Sequence, residues 1–153
     1  MTAIPSYLRT LQTIVGGTAH EATRHDRAHL RIEVGPFYFI QCGGVEARHV
    51  TADRLDPATK LPGEYLDFRR ADLPDDAKVT APALAEAMGR AIARWVGGNH
   101  YTPRPDLVTQ ALAVAPAPIA AGIRAELAVI RAATVARHAA ELATLDAIDK
   151  ETP

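Results

Sequence analysis

From Pro118 to Asp149 the chain places its apolar residues at a spacing that only a long helix can use. Ile119, Ile123, Leu127, Ile130, Thr134, His138, Leu142, Leu145 and Ile148 follow one another in steps of three or four. That spacing sets them on one helical face. A helix over 118–149 would be about 45 Å long at 1.5 Å per residue. A small sheet with strands of ordinary length spans only about 20 Å. One domain therefore cannot cover both ends of such a stripe. A second copy of the same helix is the simplest cover, because symmetric dimers are the commonest oligomers. The sequence thus predicts a homo-oligomer formed through the C-terminal helix. The stripe is not a strict heptad, so a regular coiled coil along it is not expected. Gly122 weakens the start of the helix by up to ~1 kcal/mol relative to alanine.

The preceding segments read as α+β. Residues 4–15 form a short helix with Pro5 in its first turn, Leu8, Leu11 and Val15 on one face, and Gly16-Gly17 as its stop. Residues 18–27 are polar and read as loop or a helical turn. His29–Val34 alternates Leu30, Ile32 and Val34 with Arg31 and Glu33, the pattern of a half-buried strand. Gly35-Pro36 breaks it, and Phe37–Cys42 is a second strand. Gly43-Gly44 suggests a tight hairpin into a third strand over 45–51, and Glu64–Arg70 reads as a fourth. The expected product is a four-stranded antiparallel meander over about 29–70 with one covered face. After Pro74 the pattern turns helical. Thr80 can cap a helix over 81–96 with the stripe Leu84, Met88, Ile92 and Trp95, and with Ala87 and Ala91 allowing close approach. Asp106 can cap a shorter helix over 106–115.

Composition narrows the function classes. The chain has 153 residues, 48% of them apolar, which suits a single packed domain over 1–153. Its 1–28 segment, the meander and the helical part at 80–149 would share one core. Lys and Arg number 17 against 18 Asp and Glu, a net charge of -1. That balance argues against general nucleic-acid binding. Cys42 is the single cysteine, so neither an internal disulfide nor a cysteine zinc site is expected, and a reducing cytoplasm fits. The first residues lack the features of a secretory signal, and no run approaches the ~20 apolar residues of a membrane span. Heavy use of Ala and Arg with little Lys suits a GC-rich genome or a phage of such a host.

Several residue groups are candidate sites. The loop after Trp95 offers Asn99, His100, Tyr101 and Arg104. Aromatic and arginine side chains together can stack on a base and pair a phosphate, and they are also frequent interface hot spots. Arg124, Arg131 and His138 recur every seven residues along one flank of the long stripe. They can bind an anion, or cover apolar surface with their stems. His20, His25 and His29 are spaced by five and four, which is not the spacing of a helical His-Glu-x-x-His site, so no metal is expected. No cofactor is expected either.

A tripeptide occurs twice, as His49-Val50-Thr51 and His100-Tyr101-Thr102. On a strand each copy would turn an imidazole and a hydroxyl to one side. Two such pairs facing one cleft suit phosphodiester cleavage, with one histidine as base and the other as acid. In these six residues the chain resembles the two-histidine phosphoesterases. The resemblance implies a metal-independent phosphodiesterase for cyclic or 2′,5′-linked nucleotides, with His49, Thr51, His100 and Thr102 as its catalytic residues. Some phage members of that family have about this length.

Residues after 105 read as helix, which leaves no strands for the second lobe of such an enzyme. The lead expectation is therefore a non-enzymatic, homo-oligomeric binding protein, which a phage or mobile-element accessory role would suit. It would capture a small phosphate-bearing ligand or a protein partner through Trp95, Asn99, His100, Tyr101, Arg104, Arg124, Arg131 and His138. The phosphodiesterase is the first alternative. A structural protein docking through its last helix is the second.

Overall fold

The computed structural model describes residues 4–16, 19–24, 27–43, 45–59, 68–97 and 103–151. It is an α+β fold, with an antiparallel sheet followed by helices and a long C-terminal helix. The order is α1 (Ser6–Val15), β1 (Ala19–Arg24), β2 (Arg27–Val34), β3 (Phe37–Cys42), a 3₁₀ turn (Val45–Arg48), β4 (His49–Arg54), β5 (Arg69–Asp72), α2 (Ala81–Ala93), a 3₁₀ turn (Arg94–Val96), α3 (Pro105–Val114) and α4 (Ala117–Glu151). The five strands lie side by side in chain order.

The sheet differs from its expected outline in three places. The polar segment 18–27, expected as loop, contributes strand β1, whose six residues pair in full with β2 from Ala19–Ile32 to Arg24–Arg27. Backbone pairing along the edge of β2 supplies what its side chains lack. The expected strand 45–51 and its tight hairpin are replaced by the 3₁₀ turn, and β4 begins only at His49. Gln41, buried in β3, donates from Nε2 to the Ala47 carbonyl at 2.9 Å and satisfies that turn from within. The last strand is Arg69–Asp72 rather than 64–70; residues 64–67 lie outside the described residues. The sheet thus has five strands where four were expected.

One sheet face is apolar because cross-strand partners share a side. Leu30 faces Gln41, Ile32 faces Phe39 and Val34 faces Phe37; Val50 faces Ala71. All of these are buried. The hairpin between β2 and β3 turns at Gly35, whose positive φ of 57° favours glycine.

Helix α2 is the hub. Thr80 caps it by accepting from the Ala83 amide. Nine of its thirteen residues are buried, as expected of a helix covered all round. It packs on β4, β5 and α1, and also on α4. Leu84, Met88, Ile92 and Trp95 all lie in the core. The crossing with α4 is made at glycines. A Cβ at Gly89 would lie 2.6 Å from the Ile123 nitrogen, and one at Gly122 would sit 3.0 Å from the Glu86 Cα. Gly122 therefore does more than weaken a helix start: it lets the two backbones touch.

Helix α4 has 35 residues, roughly 52 Å at 1.5 Å per residue. Only Ile119, Ala120, Gly122 and Ile123 are buried. Leu127 packs partly on the core, and Ile130 and Thr134 are half-covered. From Val135 to Glu151 every residue is exposed.

Candidate functional site

The sheet face turned away from the apolar core carries polar side chains in register, Tyr38 among them buried. Tyr38 on β3 stands opposite Asp53 on β4 and opposite Glu33 on β2. The Arg31 guanidinium lies 5.5 Å from the Tyr38 ring centre and pairs with Glu33 at 3.1 Å. Burial pushes the Asp53 carboxyl up to about 6. Burial, then the nearby Asp53 charge, pushes the Tyr38 phenol up against a smaller lowering from Arg31. This group can take up and release a proton near neutral pH.

The Asp53 shift has a consequence for stability. The folded chain holds this proton more tightly than the unfolded chain, where a carboxyl titrates near 3.9. Stability therefore falls as pH rises from about 4 to about 6, and the loss is complete above the folded value. Asp53 is only half-buried, so solvent screening reduces the effect. Asp53→Asn is expected to be more stable than the parent by about 1 kcal/mol at pH 8 and equal to it near pH 3. Urea unfolding at both pH values measures this. A less stable variant at pH 8 would mean that the carboxylate makes a favourable contact there.

His49 and Thr51 share this face, as expected of the first His-x-Thr copy on a strand. Residues directly opposite them are Asp72 and Arg70. The His49 Nδ1 lies 3.2 Å from Asp72 Oδ1. Arg70 donates from Nε to the same oxygen at 2.6 Å, and its other nitrogen contacts His49 Nδ1. Burial raises the Asp72 carboxyl, but hydrogen bonds from Arg70 and His49, with their charges, bring it below its ordinary value. A carboxylate holding an imidazole can orient it as a base. All three side chains are about half exposed, however, and water competes for each contact. His100 and Thr102, the second copy, lie outside the described residues.

Trp95 is placed otherwise than a stacking platform requires. It is buried, its ring centre 5.6 Å from that of Phe37. Its Nε1 donates to the Ala52 carbonyl at 3.3 Å. The guanidinium of Arg69 lies 5.0 Å from the ring centre and that of Arg54 5.6 Å. The indole is thus a core residue with cations on it. Arg104 donates its backbone amide to the Trp95 carbonyl at 2.8 Å. Its side chain grips Asp106 through two bonds of 3.0 and 2.9 Å. Those bonds hold the Asp106 carboxyl below its usual range. Asn99, His100 and Tyr101 lie outside the described residues.

Arg124, Arg131 and His138 are all exposed along one side of α4. Successive members are about 10 Å apart along the axis, too far to close together on one phosphate. No hydrogen bond or ion pair joins them to Trp95 or Arg104, so the five expected ligand residues that are described do not join into one site. His20 and His29 lie on the sheet face turned away from the core cluster, His20 exposed and His29 buried, and His25 lies outside the described residues. No group of three or more metal-ligating side chains converges among the described residues.

What the sequence reading passed over is the breadth of exposed apolar surface on α4. Val129, Val135, Leu142 and Leu145 are each 61–62% exposed, and Ile148 57%. Val129 and Val135 fall off the expected stripe, so a single-face count did not include them. No described helix is long and apolar enough to cross a membrane.

A five-stranded meander with helices on one face and one overhanging helix is the class these features define. Comparison of the chain with protein-family models, with curated proteins and with solved structures gives no match.

Proposed function

We propose that this chain is a non-enzymatic, self-associating binding protein, in which the α+β body carries α4 as its docking helix. The observation that carries this reading is the unbroken exposure of α4 from Val135 onward, with Leu142, Leu145 and Ile148 in the open. Burying an aliphatic side chain of this size is worth about 1.5–3 kcal/mol. Several such side chains from each of two copies supply on the order of 10 kcal/mol gross, against an association cost of roughly 4–15 kcal/mol. The surplus is modest, so the association should be reversible and depend on concentration. A protein partner is favoured over a small phosphate ligand because Trp95 is spent in the core and Arg104 on Asp106.

Light scattering on the intact chain tests this. A mass above that of one chain at micromolar concentration, falling toward one chain on dilution, is expected. A single-chain mass throughout would refute the reading.

The phosphodiesterase reading keeps one supporting observation, the placement of His49 and Thr51 on one strand face beside Asp72. Hydrolysis of a cyclic nucleotide by the parent, lost in His49→Ala, would bring it forward.

A further inference from the structure

We infer that α4 pairs antiparallel with α4 of a second copy, so that the basic stem of each helix lies on the acidic tip of the other. This rests on the self-association reading above and adds its direction and register.

The charges along α4 are sorted by position. Arg124, Arg131 and Arg137 lie in the first part of the helix. The one acid there, Glu126, is already held by Arg94 of the same chain at 3.2 Å. The last part holds Glu141, which Arg137 faces at 3.9 Å on the same helix, and Asp146, Asp149 and Glu151 against Lys150. Acids at a helix C-terminus oppose the macrodipole, so the tip is poorly served on its own. A parallel pair would set arginine beside arginine and acid beside acid. An antiparallel pair matches opposite charges at both ends and opposes the two dipoles.

A contact seam for this pair is present and free. Arg124, Ala128, Arg131, Val135, His138, Leu142, Leu145 and Asp149 follow in alternating steps of four and three, the spacing of a two-helix seam. All eight are exposed. The seam lies roughly 110° round the helix from the line of Ile119, Ile123 and Ile130 that faces the body. A second helix can therefore lie on it without displacing α2.

Centred between Val135 and His138, the antiparallel register sets Arg124 opposite Asp149 of the second copy. It sets small Ala128 opposite large Leu145, Arg131 opposite Leu142 and Val135 opposite His138. The two-fold axis repeats each pair, giving an Arg124–Asp149 contact at both ends of an overlap about 37 Å long. Of the polar and small members of the seam, Arg124, Asp149 and Ala128 each meet a complement, while Arg131 and His138 lie against Leu142 and Val135.

Cysteine crosslinking in a Cys42→Ser background tests the direction. Ala128→Cys and Leu145→Cys chains should each fail to crosslink alone and should crosslink when mixed. Crosslinking of each variant with itself would show parallel pairing and overturn the inference while self-association stands. A dimer by mass with no crosslink in the mixture would equally overturn it, since the register would be wrong. A single-chain mass would remove both readings. Charge reversal gives an independent check: Arg124→Asp or Asp149→Arg alone should weaken association at least several-fold, and the two together should restore it. Failure of the double variant to recover would contradict the facing of these two residues.

Discussion

Replacing Leu142 and Leu145 together by aspartate is expected to convert the chain to a monomer while leaving the melting temperature of its body unchanged within a few degrees. Both residues stand on the overhang and are 61% exposed. Their removal should therefore cost the fold little, as for exposed positions generally. In the antiparallel pair the carboxylate at position 145 would be buried against Ala128 without a partner, at several kcal/mol per site, while the one at 142 would face Arg131. Association weaker by 100-fold or more is the expected reading in light scattering. Association that survives unchanged would place the contact elsewhere. A large fall in melting temperature would mean that these leucines pack on their own body.

Gly122→Ala is expected to destabilise the fold by about 3 kcal/mol, although alanine is the better helix former. Its added carbon would meet the backbone of Glu86 in α2, which no side-chain rotation can relieve. The two helices would have to separate, loosening Ile119 and Ile123 from the core. Gly97→Ala is the control, because the nearest atom there is the Arg94 carbonyl at 4.0 Å. Urea unfolding of both variants gives the comparison. A Gly122→Ala chain more stable than the parent would contradict the close crossing.

What could be read from the sequence follows from which residues carry a period. Leu30, Ile32 and Val34 alternate, and Leu84, Met88 and Ile92 recur by four, so β2 and α2 stand where the pattern puts them. The strand β1 carries no such signal, since its only apolar side chains are Ala19 and Ala22. It exists through backbone pairing with β2, a tertiary fact. The alternation Val45, Ala47, His49, Thr51 was equally misleading in the other direction, because the buried Gln41 amide holds Val45–Arg48 in a 3₁₀ turn. At the expected ligand site Trp95 and Arg104 are engaged within the fold, and Asn99, His100 and Tyr101 lie outside the described residues. Trp95 next to arginines suggests a stacking platform, but Phe37 and the Ala52 carbonyl occupy it from inside. The alignment of Arg124, Arg131 and His138 is real, and its meaning changes once Val135 and Leu142 are seen exposed beside them.

Amide hydrogen exchange along α4 at low and high protein concentration tests the central claim most directly. The residues of 135–151 are all exposed, and their amides are held by the bonds of a single helix. They should exchange quickly in dilute solution and slow severalfold as concentration rises. Those of 119–127, packed on α2, should be slow at both. Exchange over 135–151 that is the same at every concentration would contradict a docking role for this helix.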